Sequence, residues 1–177
     1  MFAILLGLVL PQSWADEADH RRAIVGLKVF TAFIAADLEL TEKTSDDGRL
    51  TLLLLNRGDD LTTKSMATRL DTVEKIRGFP IRVEQLHIRD LGKYQGPEPT
   101  GIFIAEWLPD LDPILAYAED HKALVFSPFL DDVGRGVHGG LSVTDRILPL
   151  IDMQAIDASG VRIKPFFLEV ARHYEED

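Results

Sequence analysis

The sequence predicts an α/β domain: a mostly parallel sheet flanked by helices on both faces, with a C-terminal hairpin and helix. Segments with the apolar period of a helix alternate with apolar segments of strand length. The strand segments are apolar at successive positions, which is typical of strands covered on both faces. With 177 residues, 46% of them hydrophobic, the chain has the length of one domain with one core.

The first half of the chain supplies the start of this alternation. Apolar residues recur every three or four positions between Ala23 and Leu38, which predicts a first helix. A turn at Asp46-Asp47-Gly48 precedes the segment 50–55, which is apolar almost throughout and predicts a central strand. A second helix is predicted to end at Gly78 and Pro80, because the apolar residues before them hold helical spacing: Met66, Leu70, Val73 and Ile76.

The middle of the chain continues in the same order. It predicts a strand at 81–87, a loop at 93–100, a strand at 101–105, a short helix at 110–119 and a strand at 123–126. Asp110 and Asp112 suit the first turn of that helix, where negative charge complements the helix dipole. Strands and helices that alternate at this spacing indicate parallel pairing through right-handed crossovers.

The last quarter departs from this rhythm. The segments 141–143 and 147–151 flank Thr144-Asp145-Arg146 and predict a hairpin, in which Pro149 restricts the second strand to a sheet edge or a bulge. Pro165 then suits the start of a terminal helix that carries Phe167, Val170, Ala171 and Tyr174.

The first fifteen residues have the shape of a secretory signal peptide. Phe2 to Leu10 is an uninterrupted apolar segment, too short to span a membrane, and Ser13-Trp14-Ala15 offers small residues for cleavage after Ala15. We therefore expect residues 1–15 to be removed and residues 16–177 to form a single exported, periplasmic domain. The alternative is a buried N-terminal strand or helix. No later segment reaches spanning length, so we do not expect an integral membrane protein.

Composition excludes several classes of function. The formal net charge of -10 repels phosphate backbones and anionic lipid headgroups, so nucleic acid is not an expected partner. The chain has no cysteine, which excludes disulfides, cysteine-based metal sites and thiol catalysis. We expect no cofactor.

A glycine-rich segment is the most conspicuous motif. Residues 134–139 read G-x-G-x-x-G, but a dinucleotide site needs a strand before the motif and a helix after it, and here a strand follows. The glycines indicate positive φ or close backbone approach instead. His138-Gly139-Gly140 is similar to an esterase oxyanion loop, yet the chain has no G-x-S-x-G nucleophile elbow. No pair of general acid and base emerges from spacing, so we predict a protein that is not an enzyme.

Two places remain as candidate sites. Asp131 and Asp132 could meet His138 and bind a metal, although paired acids beside a glycine loop are more often a solvated turn or a helix cap. Trp107 lies where a strand should lead into a helix, and ligands of open α/β sheets bind beyond such strand ends. The alternative for Trp107, which we favour, is packing of the helix on the sheet.

The segment 127–174 resembles the YfiR-like family of bacterial periplasmic proteins. The resemblance rests on Gly139-Gly140-Leu141-Ser142-Val143, a strand that ends at Ile151-Asp152, and the segment Ala155-Ile156-Asp157-Ala158-Ser159-Gly160-Val161-Arg162-Ile163-Lys164-Pro165, followed by Leu168 and Ala171. Asp152 stands where the family favours Asn, and Pro149 where it favours an aromatic residue. The cysteine pairs of better known members are absent, so redox sensing through disulfides does not carry over.

The resemblance implies a non-enzymatic regulator that docks on the periplasmic domain of a membrane-bound diguanylate cyclase, with release through an outer-membrane lipoprotein. Our first hypothesis is therefore an exported adaptor for a membrane signalling protein, with the loop from Asp131 to Gly140 as contact surface. The second is a periplasmic small-molecule binding module that uses the strand ends near Trp107. The third is a metal-assisted hydrolase around Asp131, Asp132 and His138. A homodimer is left open.

Overall fold

The computed structural model describes residues 12–58 and 60–175, which form one eight-stranded sheet and five helices. The helices are α1 (Gln12–Ala36), α2 (Asp60–Asp71), α3 (Asp112–Asp120), α4 (Met153–Ala158) and α5 (Pro165–Val170). The strands are β1 (Leu50–Asn56), β2 (Lys75–Ile76), β3 (Phe79–His87), β4 (Pro99–Ile104), β5 (Leu124–Phe126), β6 (Gly139–Val143), β7 (Ile147–Ile151) and β8 (Arg172–His173). Short 3-10 helices occupy Leu40–Lys43, Ile88–Lys93 and Val133–Arg135.

The strand order is β2-β3-β1-β4-β5-β6-β7-β8. The five strands from β3 to β6 run parallel, and only β2 with β3 and β6 with β7 pair antiparallel. Chain order within the parallel part is 2-1-3-4-5, so the sheet grows in one direction after β1 and in the other after β4. The predicted fold class is confirmed.

Helices cover both faces of the sheet, and β1 shows this directly. Leu52 and Leu54 pack in the core beneath α1 and α2, whereas Leu53 and Leu55 pack in the second core beneath α3. All of β1 is buried, which explains why its sequence is apolar at successive positions. Five phenylalanines interlock α1 with the sheet and α5: Phe30, Phe33, Phe103, Phe126 and Phe167.

The second helix is shorter than the sequence predicts. It ends at Asp71, and Ile76 lies in β2, paired with Phe79 of β3. Arg77 and Gly78, between them, have φ values of 51° and 89°. Two consecutive positive φ values form the tight turn that joins antiparallel strands. Ile76 is therefore a buried residue of a strand. Its position in the sequence also matches the helical period, which is why the sequence predicts a longer helix.

The C-terminal quarter forms the predicted hairpin from β6 and β7. Strand β8 pairs only with Leu150 and Ile151 of β7, so Pro149 lies beside an unpaired stretch of edge. Pro165 begins α5 as predicted. However, Ala171 ends that helix, and Tyr174 follows β8, because the chain turns back to extend the sheet.

The expected signal peptide falls largely outside the described residues. Gln12 to Ala15 form the first turn of α1, which begins well before Ala23, and residues 1–11 are not described. Across 12–58 and 60–175, no helix combines the length and hydropathy that a membrane span requires.

Candidate functional site

The carboxyl ends of β1 and β4 are where the sheet changes its direction of growth. After β1 the chain enters α2, which packs with α1, and after β4 it enters α3 on the opposite face. The two connecting loops therefore diverge at the switch point of the sheet, where open α/β sheets usually bind their ligands. Four residues at this place, Asn56, Arg57, Glu106 and Trp107, are called the strand-end site below.

Side chains from both neighbouring strands fix the backbone of Arg57. Its N–H donates to Oε2 of Glu106 at 2.8 Å. Its carbonyl oxygen lies 2.9 Å from Nε2 of His87. Because Nδ1 of His87 accepts the N–H of Arg89, the ring proton is on Nε2, which donates to Arg57. Arg57 is thus held in place between β3 and β4.

The side chains of the strand-end site differ in their exposure. The Arg57 guanidinium is half-exposed, and its only ion pair among the described residues joins Nε to Oε1 of Glu106 at 3.8 Å. Asn56 is buried. Trp107 is 48% exposed. The packing role that we favoured for Trp107 belongs instead to the buried residues Leu108, Leu111 and Ile114.

The loop after β5 uses its polar groups internally. Asp132 is completely buried; its Oδ2 accepts the Ser127 hydroxyl at 2.6 Å and its Oδ1 accepts Arg135 at 2.8 Å. The same guanidinium donates to the carbonyls of Leu108 and Pro109. This network ties the loop to the β4–α3 connection. Asp131, in contrast, is exposed at a φ of 68°.

The following residues are also inside the protein. His138 is buried, and its Nδ1 accepts the N–H of Val125 at 3.1 Å. Burial lowers the pKa of His138 from 6.5 to about 4, which keeps the ring neutral. A Cβ on Gly139 would lie 2.8 Å from the Phe33 ring, and one on Gly140 would lie 2.9 Å from the Ser127 carbonyl oxygen. The structure therefore places Asp132, His138, Gly139 and Gly140, four residues of the predicted contact surface, in the interior.

The metal alternative also lacks its geometry. The described part of the chain has no group of three or more His, Asp or Glu side chains placed to hold an ion. Both carboxylate oxygens of Asp132 and the Nδ1 of His138 are already in hydrogen bonds, with Ser127, Arg135 and Val125 respectively. The glycine motif leads into β6, as expected, and Gly136 has the positive φ of 95° that the sequence predicts for such a loop.

A groove of about 870 Å³ lies at the opposite, amino end of the sheet. It is lined by the segments before β1, β4 and β5, and sequence reasoning did not single it out. Two of its carboxylates are paired: Asp47 with Arg82, and Glu39 with Arg162 at 2.7 Å. The pKa of Asp47 is lowered by the Ser45 hydroxyl, and that of Glu39 by Arg162. The lining also carries Glu42, Asp46 and Glu98, so acidic side chains outnumber basic ones in the groove.

Exposed apolar side chains collect in the C-terminal region. Val143 and Ile147 lie opposite each other near the hairpin tip, and Phe166 and Val170 share one side of α5. Each of the four is about half exposed. Val143 lies two residues after the core residue Leu141 and therefore faces the same side of the sheet. Because α5 also inserts Phe167 against Phe33, both pairs lie on the α1 face of the sheet. These four residues are called the apolar C-terminal surface.

Comparison with known proteins defines the class as an α/β domain. No family model matches the sequence, and no curated protein matches it. A conserved domain protein from Vibrio cholerae O1 biovar eltor is similar in fold, with a TM-score of 0.56 at 12% identity over 86% of this chain. The ABC domain in complex with L-Trp from Streptococcus pneumonia gives a TM-score of 0.53 at 9% identity over 80% of this chain.

The chain spans 60% of the length of each of these two structures. At such low identity the likeness concerns the fold alone. It agrees with the α/β architecture described above.

Proposed function

We propose that the chain is an exported, non-enzymatic adaptor that binds the periplasmic domain of a membrane-bound signalling protein, a diguanylate cyclase or a sensor, through the apolar C-terminal surface. The single observation that carries the proposal is this surface: Val143, Ile147, Phe166 and Val170 are half-exposed on one face of the sheet. Exposed apolar side chains gathered in one region of a domain are typical of protein interfaces.

The position of this surface supports the proposal in a second way. All four residues lie in the segment 127–174 that resembles the YfiR-like family, whose members dock on a periplasmic cyclase domain. In the loop that we first expected to make the contact, Asp132 and His138 are buried, whereas Asp131 is exposed. The proposed contact therefore moves from the glycine loop to the hairpin and helix that follow it, within the same segment.

Burial of a large apolar side chain in an interface contributes about 2 kcal/mol or more when it lies at the centre of the contact. Phe166 is the largest member of the surface and is 58% exposed. We therefore expect it to be an anchor for the partner. Export is part of the proposal, because the partner domain lies outside the cytoplasm.

The test begins with a photo-crosslinking amino acid at position 166 in intact bacteria. The proposal predicts a crosslinked membrane protein with a periplasmic domain, identified by mass spectrometry, and a mature chain that starts at Asp16. The purified periplasmic domain should then bind the mature chain, and deletion of the gene should change cellular cyclic di-GMP if the partner is a cyclase.

The variant Phe166→Asp with Val170→Asp should weaken that binding by about 100-fold. Leu38→Asp is the matched control, because Leu38 is similarly exposed, at 46%, but lies outside the apolar C-terminal surface. Equal losses in both variants, a crosslink only to a second copy of this chain, or an uncleaved chain in the cytosolic fraction would each overturn the proposal.

A further inference from the structure

We propose that the groove at the amino end of the sheet binds a linear polyamine, a flexible organic cation whose amines are separated by methylene groups. The groove has a volume of about 870 Å³, which lies in the range typical of small-molecule sites. The inference does not rest on the proposed adaptor role, because the groove shares no residue with the apolar C-terminal surface.

Two of the three lysines and arginines that line the groove are matched by carboxylates. Nζ of Lys43 lies 2.5 Å from Oδ2 of the completely buried Asp37. Arg82 is paired with Asp47. Lys122, the third, is exposed and makes no ion pair with another described residue. A cationic ligand would therefore meet one uncompensated positive charge in the groove.

Three carboxylates of the lining are uncompensated. Glu42, Asp46 and Glu98 are exposed, and none of them makes an ion pair or a side-chain hydrogen bond with another described residue. Glu42 and Asp46 lie in the segment before β1, whereas Glu98 lies in the segment before β4. Negative charge thus comes from two separate segments, and a ligand with several separated positive charges can meet both.

Thr51 adds an independent indication of a ligand. It is completely buried, and its hydroxyl has no hydrogen-bond partner among the described residues. Thr51 lies opposite Arg82 of β3 and Pro99 of β4, both of which line the groove. Residues opposite one another in register face the same side of a sheet, so the hydroxyl is directed at the floor of the groove between them. Because buried hydroxyls almost always have partners, this one indicates a partner that the chain does not supply.

The acceptors of the groove favour an amine over a metal ion. A hydroxyl oxygen can accept an ammonium N–H. Nδ1 of the lining residue His121 lies 2.7 Å from the Tyr117 carbonyl oxygen and therefore carries the proton, so Nε2 of the neutral ring is a further acceptor. The described residues contain no group of three or more His, Asp or Glu side chains placed to hold a metal ion. The methylene groups of a polyamine can pack against Pro97 and Pro99, which also line the groove.

Isothermal titration of the purified chain with spermidine tests the inference. Butylamine is the control ligand, because it has a single ammonium group and a similar methylene chain. We expect spermidine to bind with a Kd below about 1 mM and butylamine to bind at least about tenfold more weakly. No spermidine binding up to about 10 mM, equal binding of butylamine, or binding of trilysine without binding of spermidine would overturn the inference.

A triple variant locates the site. Glu42→Gln, Asp46→Asn and Glu98→Gln together remove the uncompensated carboxylates, so we expect the affinity for spermidine to fall by about tenfold or more. The matched control removes the same number of charges from exposed acids outside the lining: Asp71→Asn, Glu169→Gln and Glu175→Gln. Equal losses in the two triple variants would reveal a general attraction to the net charge of -10, and the inference would fail.

Thr51→Val tests the buried hydroxyl separately, because valine has a similar shape and no polar group. Since the hydroxyl has no partner among the described residues, the variant should melt at the same temperature as the wild type or higher. Its affinity for spermidine should nevertheless fall by about fivefold. An unchanged affinity, or a lower affinity together with a lower melting temperature, would contradict a ligand contact at this hydroxyl and overturn the inference.

The Phe166 and Val170 variant, which tests the adaptor role, lies outside the groove and should bind spermidine as the wild type does. A failure of one proposal can therefore be distinguished from a failure of the other.

Discussion

Two arginines, one in the loop after β1 and one in the loop after β5, have different roles although both lie beyond the carboxyl end of a strand. Arg135, in the loop after β5, donates to the Asp132 carboxylate and to the carbonyls of Leu108 and Pro109. Arg57, in the loop after β1, has one long contact with Glu106 and a half-exposed guanidinium. Both lie beside a carboxylate. The Arg135 guanidinium makes hydrogen bonds that hold the fold together. The backbone of Arg57 is hydrogen-bonded, but its guanidinium makes only the long contact with Glu106 among the described residues.

The comparison teaches that a polar group becomes available for binding when the fold satisfies its backbone but not its side chain. The glycine loop has more polar and special residues than the strand-end site, and for that reason it attracts attention in the sequence. Its polar groups are used internally, however, because a buried loop must satisfy every donor and acceptor it carries.

The largest expected effect concerns the neutral His138 in the closed loop. Its pKa in the folded protein is about 4, below the ordinary value of 6.5, so the unfolded chain binds a proton that the folded protein excludes. This contribution to stability is complete above pH 6.5 and is lost as the pH falls toward 4, by about 3 kcal/mol. Urea unfolding from pH 7 to pH 4 measures it.

His138→Asn is the control for that titration, because an Asn oxygen can still accept the Val125 N–H. The wild-type free energy of unfolding should fall more steeply than that of the variant across this range. Parallel curves would mean that His138 is accessible to water, and the loop would then not be closed.

The second effect separates the two adjacent acids of the same loop. Asp132→Asn removes a completely buried charge from the Arg135 guanidinium, which is itself one-third exposed, so we expect a loss of roughly 2 kcal/mol. Asp131→Asn changes an exposed carboxylate and should cost less than about 0.5 kcal/mol. Equal values in chemical denaturation would contradict the distinction between a closed loop and an exposed one.

A third effect tests the close packing of the glycines. In Gly140→Ala the new Cβ would lie 2.7 Å from Cγ2 of Val133 and 2.9 Å from a backbone oxygen that cannot move freely. We expect a loss of about 2 kcal/mol in the free energy of unfolding. Gly92→Ala is the control, since nothing lies within 4 Å of its Cβ, and its stability should stay within about 0.5 kcal/mol of the wild type.

The smallest effect is expected at Arg57. Because its side chain makes one long, half-exposed ion pair, Arg57→Gln should change the free energy of unfolding by less than about 0.5 kcal/mol. Thermal and urea unfolding measure this change. A loss of about 2 kcal/mol would show that Arg57 is a structural residue like Arg135, and the comparison between the two loops would fail.

Much of the fold can be predicted from the sequence, because burial on two faces leaves strands such as Leu50–Leu55 apolar throughout and helices with one apolar face. The prediction fails where two structures share one pattern. Ile76 fits the helical spacing of Met66 and Leu70, and only the conformation of Arg77 and Gly78 reveals a hairpin there. The β8 strand depends on pairing with β7, which no local pattern encodes.

The site is less predictable than the fold, since exposure depends on residues far apart in the sequence. Trp107 could be located beyond a strand, but its exposure follows from Leu108 and Leu111 filling the core in its place. Arg57 follows β1 as Trp107 follows β4, so the same argument about strand ends could have found it. The burial of Asp132 depends on Ser127 and Arg135 and has no sequence signal.

The central claim is that the fold uses the Arg135 guanidinium and leaves the Arg57 guanidinium accessible, although each lies beside a carboxylate. Urea unfolding of Arg57→Gln and of Arg135→Gln, each compared with the wild type, tests it most directly. The account predicts a loss of roughly 2 kcal/mol in the free energy of unfolding for Arg135→Gln and of less than about 0.5 kcal/mol for Arg57→Gln. Equal losses in the two variants would contradict it.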